Sequence, residues 1–118
     1  MVCARIMLGR LSPIALLLLG AAWSGCSAEI ADGRADGAAI FSEVCARCHG
    51  SNGVPDPTNV ARIGVKPLNS PHVQAQLSDA DIRQQILRGS RNRQMPAFAG
   101  ALSDEQVSAI IAHVRSLR

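Results

Sequence analysis

Two thiols and an imidazole capable of covalent and metal chemistry fall together in Cys45-Ala46-Arg47-Cys48-His49. The spacing C-x-x-C-H is the attachment pattern of a c-type haem. Its two thiols add across the porphyrin vinyl groups, and the histidine that follows is held beside the iron as an axial ligand. Met95, followed by Pro96, lies far enough downstream to supply the opposite ligand. Met/His ligation raises the reduction potential of haem iron. With both axial positions filled there is no room for a substrate, which is the chemistry of an electron carrier.

Other uses of C-x-x-C weigh less. A structural zinc site needs about four ligands, and the chain has no second closely spaced Cys pair. A thioredoxin-like redox pair belongs in a βαβ setting, and nothing around residue 45 reads as strand.

The N-terminus reads as an export signal. Arg5 and Arg10 form a positive region, and Leu11 to Ala22 is an apolar run centred on Leu16-Leu17-Leu18-Leu19. Small residues follow, as in a secretory signal. The run is shorter than the ~20 residues a membrane-spanning helix requires. Trp23-Ser24-Gly25-Cys26 is similar to the bacterial lipoprotein box, with Trp23 where Leu is usual. In that reading residues 1–25 are removed and Cys26 is lipidated. Ordinary cleavage after Ala28 is the alternative, removing residues 1–28. Either way, export fits the cysteine inventory. Cys3 is discarded, Cys26 is lipidated or discarded, Cys45 and Cys48 go to haem, and none is left for a disulfide.

Processing also changes the charge. Without Arg5 and Arg10, ten basic residues face nine acidic ones, and two haem propionates offset the remaining excess. No basic field of the kind nucleic-acid binding requires is present. About 90 mature residues bury a marginal core, and after loss of Trp23 the aromatics are only Phe41 and Phe98. A covalently held apolar plate would stabilise such a domain.

These residues need a scaffold, and the pattern predicts helices. Residues 26–36 read as a flexible tether and 37–118 as the domain. A first helix is expected from about Asp36 to the haem motif, with Ile40, Phe41, Val44 and Cys48 on one face. Gly37 lies one turn before Phe41 on the same side, which suggests a close helix crossing. Residues 50–71 are rich in Pro and Gly and are expected to be irregular. Such a length without regular structure needs a function, and wrapping a haem edge is one. A second helix starts at Ser78, with Asp81 completing a near capping box. Ile82, Ile86 and Leu87 face inward, and Gly89 ends it. The last helix starts at Ser103 with Gln106 in a capping box. Val107, Ile110, Ile111, Val114 and Leu117 form its apolar stripe. No segment alternates with period two for long enough to be a strand.

The order of these parts resembles the small bacterial class I cytochromes c. The parts that carry the resemblance are Gly37-x-x-x-Phe41-x-x-x-Cys45-x-x-Cys48-His49-Gly50, Gly89 through Met95-Pro96-Ala97-Phe98, and Leu102-Ser103-Asp104-Glu105-Gln106. The resemblance implies an all-α cytochrome c fold of about three short helices and irregular loops around one covalent haem c. It implies that His49 and Met95 bind the iron. It also implies that a proline carbonyl accepts a hydrogen bond from the other nitrogen of His49; Pro67 is the candidate and Pro57 the alternative. Gly37 and Phe41 would meet an aromatic residue on the last helix, where this chain has His113. That histidine is either a packing residue or a redox-linked proton site.

His72, the competing sixth ligand, reads as a surface residue. Arg88, Arg91 and Arg93 form either a solvated face or a docking rim that also suits a haem propionate; Arg47 could serve the same end. The expected function is one-electron transfer between redox-protein partners, in the periplasm or at a membrane surface, with no enzyme activity of its own. The alternatives are a haem subunit of a larger dehydrogenase or oxidase, and a small peroxidase-like or gas-binding haem protein.

Overall fold

The computed structural model describes residues 30–118. The export segment, Cys26 and both alternative cleavage points lie outside them. Among the described residues the chain is helical, with one isolated bridge between Ala99 and Leu102 and no strand. The helices are α1 (Gly37–Ile40), α2 (Ala46–His49), α3 (Pro57–Ile63), α4 (Asp79–Arg88) and α5 (Asp104–Ser116).

Asp36 starts α1, its carboxylate accepting the Ala39 N–H at 3.0 Å. Helical backbone then continues through a π-turn, Phe41–Cys45, into α2. There the Ala46 N–H reaches back to the Phe41 carbonyl. A π-turn takes up an extra residue and shifts the face that follows it. The apolar stripe read from the sequence is therefore divided. Ile40 and Phe41 are fully buried in the core, whereas Val44, Cys45, Cys48 and His49 line a cavity.

α1 lies against α5 with no side chain between them at Gly37. A Cβ there would overlap the Ala109 carbonyl and come within 3.0 Å of the Ile110 nitrogen. This is the close crossing expected from the sequence. One turn further on, Phe41 meets His113 with ring centroids 4.9 Å apart and planes tilted by 52°. His113 thus occupies the place expected for an aromatic partner, half-buried against Phe41.

Both capping boxes form. Ser78 and Asp81 exchange hydrogen bonds at the start of α4, and Ser103 and Gln106 do so at the start of α5. Ile82 and Ile86 of α4 pack into the same core as Val107, Ile110, Ile111 and Val114 of α5. Arg115 fastens the segment before α4 to α5. Its guanidinium donates to the Val73 carbonyl at 2.7 Å and the Leu77 carbonyl at 2.6 Å, and pairs with Asp79 at 2.9 Å.

Three elements depart from the sequence reading. Residues 50–71 are not wholly irregular, because α3 forms within them. Pro57 does not break this helix but opens it, at the first position, where the missing N–H leaves no bond unmade. Asp56 caps it, accepting the Thr58 N–H at 2.7 Å, and that bond holds the Asp56 carboxyl below its usual pKa. Residues 72–76 form a second π-turn. The segment expected as free tether is fastened from Ile30 onward. Ile30–Gly33 is a 3-10 turn, and the buried Gln106 donates its Nε2 to the carbonyls of Ile30 at 2.9 Å and Arg34 at 3.1 Å.

Gln106 therefore has two separable jobs. Glu at this position keeps the acceptor of the capping box but has no N–H to donate. Gln106→Glu should leave the helix content unchanged while trypsin cuts after Arg34 faster, by roughly five- to tenfold for the loss of one to two neutral hydrogen bonds. Cleavage at the wild-type rate would mean that other contacts hold this segment.

Candidate haem and electron-transfer site

α2, α4, α5, the 63–68 loop, the 72–77 segment and the loop after α4 surround one cavity of about 900 Å³. That is at the upper end of the ~300–1,000 Å³ usual for ligand sites. Its walls are largely aliphatic, with Val44, Ile63, Leu68, Val73, Leu77, Ile82, Ile86 and Val114 among them. Cys45, Cys48, His49 and Met95 all open onto it. Residues 46 positions apart in sequence, His49 and Met95, are thus brought to one apolar space.

The thiols are half-buried and unbridged. Burial, with a smaller effect from the neighbouring Cys48, pushes the Cys45 pKa up to about 11. A redox-active C-x-x-C pair or a thiolate metal site needs the opposite shift. Among the described residues no group of three or more His, Cys, Asp or Glu side chains is placed to hold a metal ion.

His49 ends α2, and burial holds its pKa below the ordinary value. Burial thus favours the neutral ring, the form that binds a metal. Its Nδ1 is buried with no hydrogen-bond partner. The proline carbonyl bond expected from the resemblance is therefore not made. Pro67 is exposed, and its carbonyl takes the Ser70 N–H at 3.4 Å. The neighbouring Leu68 N–H is held by the Gly53 carbonyl at 2.8 Å. Leu68 and Lys66 line the cavity while Pro67 between them does not. Pro57, the alternative, is an exposed residue at the start of α3.

Met95 sits on the loop between α4 and α5. Gly89, with φ at +70°, turns the chain out of α4. A Cβ there would lie 2.5 Å from the Met95 carbonyl oxygen and 2.8 Å from the Pro96 carbonyl carbon. The loop returns to its helix through Phe98 and Ala99, whose N–H groups take the Ile86 and Leu87 carbonyls at 3.1 and 3.2 Å. Those carbonyls belong to the last turn of α4, where no helical partner remains. Gln85 reaches the Met95 sulfur with its Nε2 at 3.9 Å. No motif marks Gln85 or Ser90 as part of the site, although both line the cavity. Gly89-Ser90 read only as the end of a helix.

The arginines before Met95, read as a solvated face or a docking rim, lie outside the cavity. Arg88, Arg91 and Arg93 are exposed, and none lines the cavity. In their loop Ser90, Asn92 and Gln94 line the cavity, whereas the alternate Arg91 and Arg93 do not. Arg47 and Lys66 do line the cavity and are exposed, which puts them at its mouth. His72 is exposed at the same edge, with Nδ1 2.9 Å from Gln76 Oε1, in keeping with a surface residue.

Two thiols, an imidazole and a thioether opening onto one aliphatic cavity of this size fit a haem held through Cys45 and Cys48. Comparison with known proteins agrees. Residues 32–114 match the family described as cytochrome c oxidase, cbb3-type, subunit III. The chain is 34% identical over 92 residues to cytochrome c6 of Synechococcus, covering 78% of this chain and 76% of that protein. It is 33% identical over 82 residues to dihydro-heme d1 dehydrogenase of Pseudomonas aeruginosa, covering 70% of this chain but spanning only 15% of that longer protein. Among solved structures, the KustC0563 c-type cytochrome superposes with a TM-score of 0.64 at 30% identity, over 70% of this chain and 98% of that one. The dihydro-heme d1 dehydrogenase NirN superposes with a TM-score of 0.56 at 29% identity, over 68% of this chain and 16% of that one. The cytochrome c fold, the covalent haem c and haem-based electron transfer follow from these matches together with the site. The chain belongs to the family of the cbb3-type cytochrome c oxidase subunit III domain and is a small mono-haem c-type cytochrome.

Proposed function

We propose that the chain is a dedicated one-electron carrier, exported to the periplasm and exchanging electrons with redox-protein partners. The observation that supports this reading is the common cavity of His49 and Met95. With a ligand from each, the iron of a bound haem would offer no open position to substrate. The haem supplies reversible one-electron chemistry when bound. The chain's own residues do the rest. Cys45 and Cys48 would hold the group covalently, His49 and Met95 would ligate its iron, and the aliphatic walls would exclude water. Among the described residues no helix is long and apolar enough to cross a membrane. A lipid on Cys26, read from Ser24-Gly25-Cys26, would hold the carrier at a membrane surface, and two or more acyl chains suffice for stable anchoring.

A second reading has this domain working as the haem subunit of an oxidoreductase. It is favoured by the description of the matching family and by the dihydro-heme d1 dehydrogenase, in which a region like this chain is a small part. Co-purification from membranes separates the two. A free carrier comes out alone, and a subunit comes out with its enzyme.

Three expected outcomes follow from the carrier reading. Met95→Ala should lower the reduction potential by on the order of 100 mV or more, since axial ligation tunes haem over about 0.8 V. An unchanged potential would mean that Met95 is not the ligand. For the anchor, the intact mass of the membrane-extracted protein should correspond to a chain beginning at a diacylated Cys26. A lipid-free chain beginning at Glu29 would show ordinary signal cleavage. Docking should use the cavity mouth. Arg47→Gln with Lys66→Gln should slow bimolecular electron transfer and flatten its salt dependence, because rim charges act mainly on association and are screened over about 10 Å at 0.1 M salt. Replacing Arg88, Arg91 and Arg93 by Gln should have the smaller effect. The reverse ranking would move the docking face to the outer side of the Met95 loop.

A further inference from the structure

We infer that Ser90 is the positioning residue that keeps Met95 in the cavity, and that its hydroxyl is what closes the sixth position to small ligands. The inference deepens the carrier reading and rests on Met95 being the axial ligand.

Met95 belongs to no helix or strand. Its side chain has one polar neighbour, the Gln85 Nε2 at 3.9 Å, and a thioether is a weak acceptor. The hold on this residue must come through its backbone, and there Ser90 takes both polar groups. The Met95 N–H donates to Ser90 Oγ at 2.9 Å. The Ser90 N–H donates to the Met95 carbonyl at 3.0 Å. The Ser90 hydroxyl proton then goes to Asn92 Oδ1 at 2.6 Å, and the same oxygen accepts the Gln94 N–H at 3.2 Å. The Ser90 carbonyl accepts the Arg93 N–H at 2.9 Å. One serine thus ties together the loop from residue 90 to residue 95.

A second observation points the same way. Arg93 has φ at +60°, a conformation uncommon for a residue other than glycine. Strain of this kind persists where the surroundings over-determine it, and it clusters at functional sites. Here the surroundings are the Ser90 and Asn92 bonds. Ser90, Asn92, Gln94 and Met95 all line the cavity, so the strained stretch is the wall that presents the ligand. Removing the hydroxyl leaves the half-buried Met95 N–H without its acceptor and releases Asn92. Loops held by so few bonds open at low cost, and an opened loop carries Met95 away.

The test uses the haem-loaded mature protein in three forms: wild type, Ser90→Ala and Ser90→Thr. Carbon monoxide is the probe of an open sixth position. It should bind reduced Ser90→Ala about five- to tenfold faster than wild type, the loss expected for one neutral hydrogen bond. The ferric thioether–iron charge-transfer band should vanish on warming at a lower temperature in Ser90→Ala. Ser90→Thr keeps the hydroxyl and should restore both readouts. A purely structural role would instead lower the helix-unfolding midpoint and leave carbon monoxide binding before unfolding unchanged. Carbon monoxide binding at the wild-type rate in Ser90→Ala, or no rescue by Ser90→Thr, overturns the inference. A wild-type protein without the thioether band overturns the Met95 assignment itself and takes this inference with it, so the two failures can be told apart.

Discussion

The backbone contact between Gly37 and Ala109 governs much of this architecture. Two helices can approach this closely only where one of them lacks a Cβ. That approach sets α1 against α5 and fixes the direction in which the chain runs on into α2. It also buries Ile40 and Phe41 beside Val107 and Ile110, the least exposed side chains of the core. An alanine at 37 would have to push α1 away from the Ala109 carbonyl. The displacement would be felt at the far end of the same helix, where Cys45, Cys48 and His49 open onto the cavity. The π-turn between them is the device that lets one helix serve two purposes. Before the turn the apolar face packs on α5, and after it the functional face lines the cavity.

The two residues proposed as axial ligands are held by different means. His49 ends a helix whose beginning is locked into the core, and its ring is placed by packing alone. Met95 sits on a loop whose place depends on Gly89, on the two loop-to-helix bonds of Phe98 and Ala99, and on Ser90. This asymmetry has a physical consequence. The histidine side continues, through the Phe41–Cys45 turn, from the helix that packs on α5. The methionine side opens by breaking a few exposed or half-buried hydrogen bonds, each worth about 1 kcal/mol. Any change at the sixth position, by ligand exchange or small-molecule entry, is expected to start there.

Much of this was legible in the sequence because it is written in local chemistry. The C-x-x-C-H motif, both capping boxes, the stripe on α5 and the Gly37 crossing each rest on residue types at fixed spacings. The all-α cytochrome c fold and the single covalent haem c stood on the order of those parts. What was not legible depends on which way a loop faces. Pro57 read as a helix breaker, yet a proline behind an Asp cap is a helix start. Pro67 lies next to two cavity-lining residues but faces outward. Arg91 and Arg93 alternate with inward-facing neighbours and so miss the cavity, while Arg47 and Lys66 reach it. Gln106 read as half of a capping box, and nothing in one dimension shows that its amide also fastens a segment more than 70 residues away.

In the proposed holoprotein one covalent haem is held between His49 and Met95. The absorption spectrum of the purified wild-type protein, taken ferric and ferrous at neutral pH, tests it most directly. Such ligation should give a six-coordinate low-spin spectrum in both states, with the weak red thioether–iron band in the ferric form and no change when carbon monoxide is added briefly to the ferrous form. A high-spin ferric spectrum without that band, or immediate conversion by carbon monoxide, would contradict it.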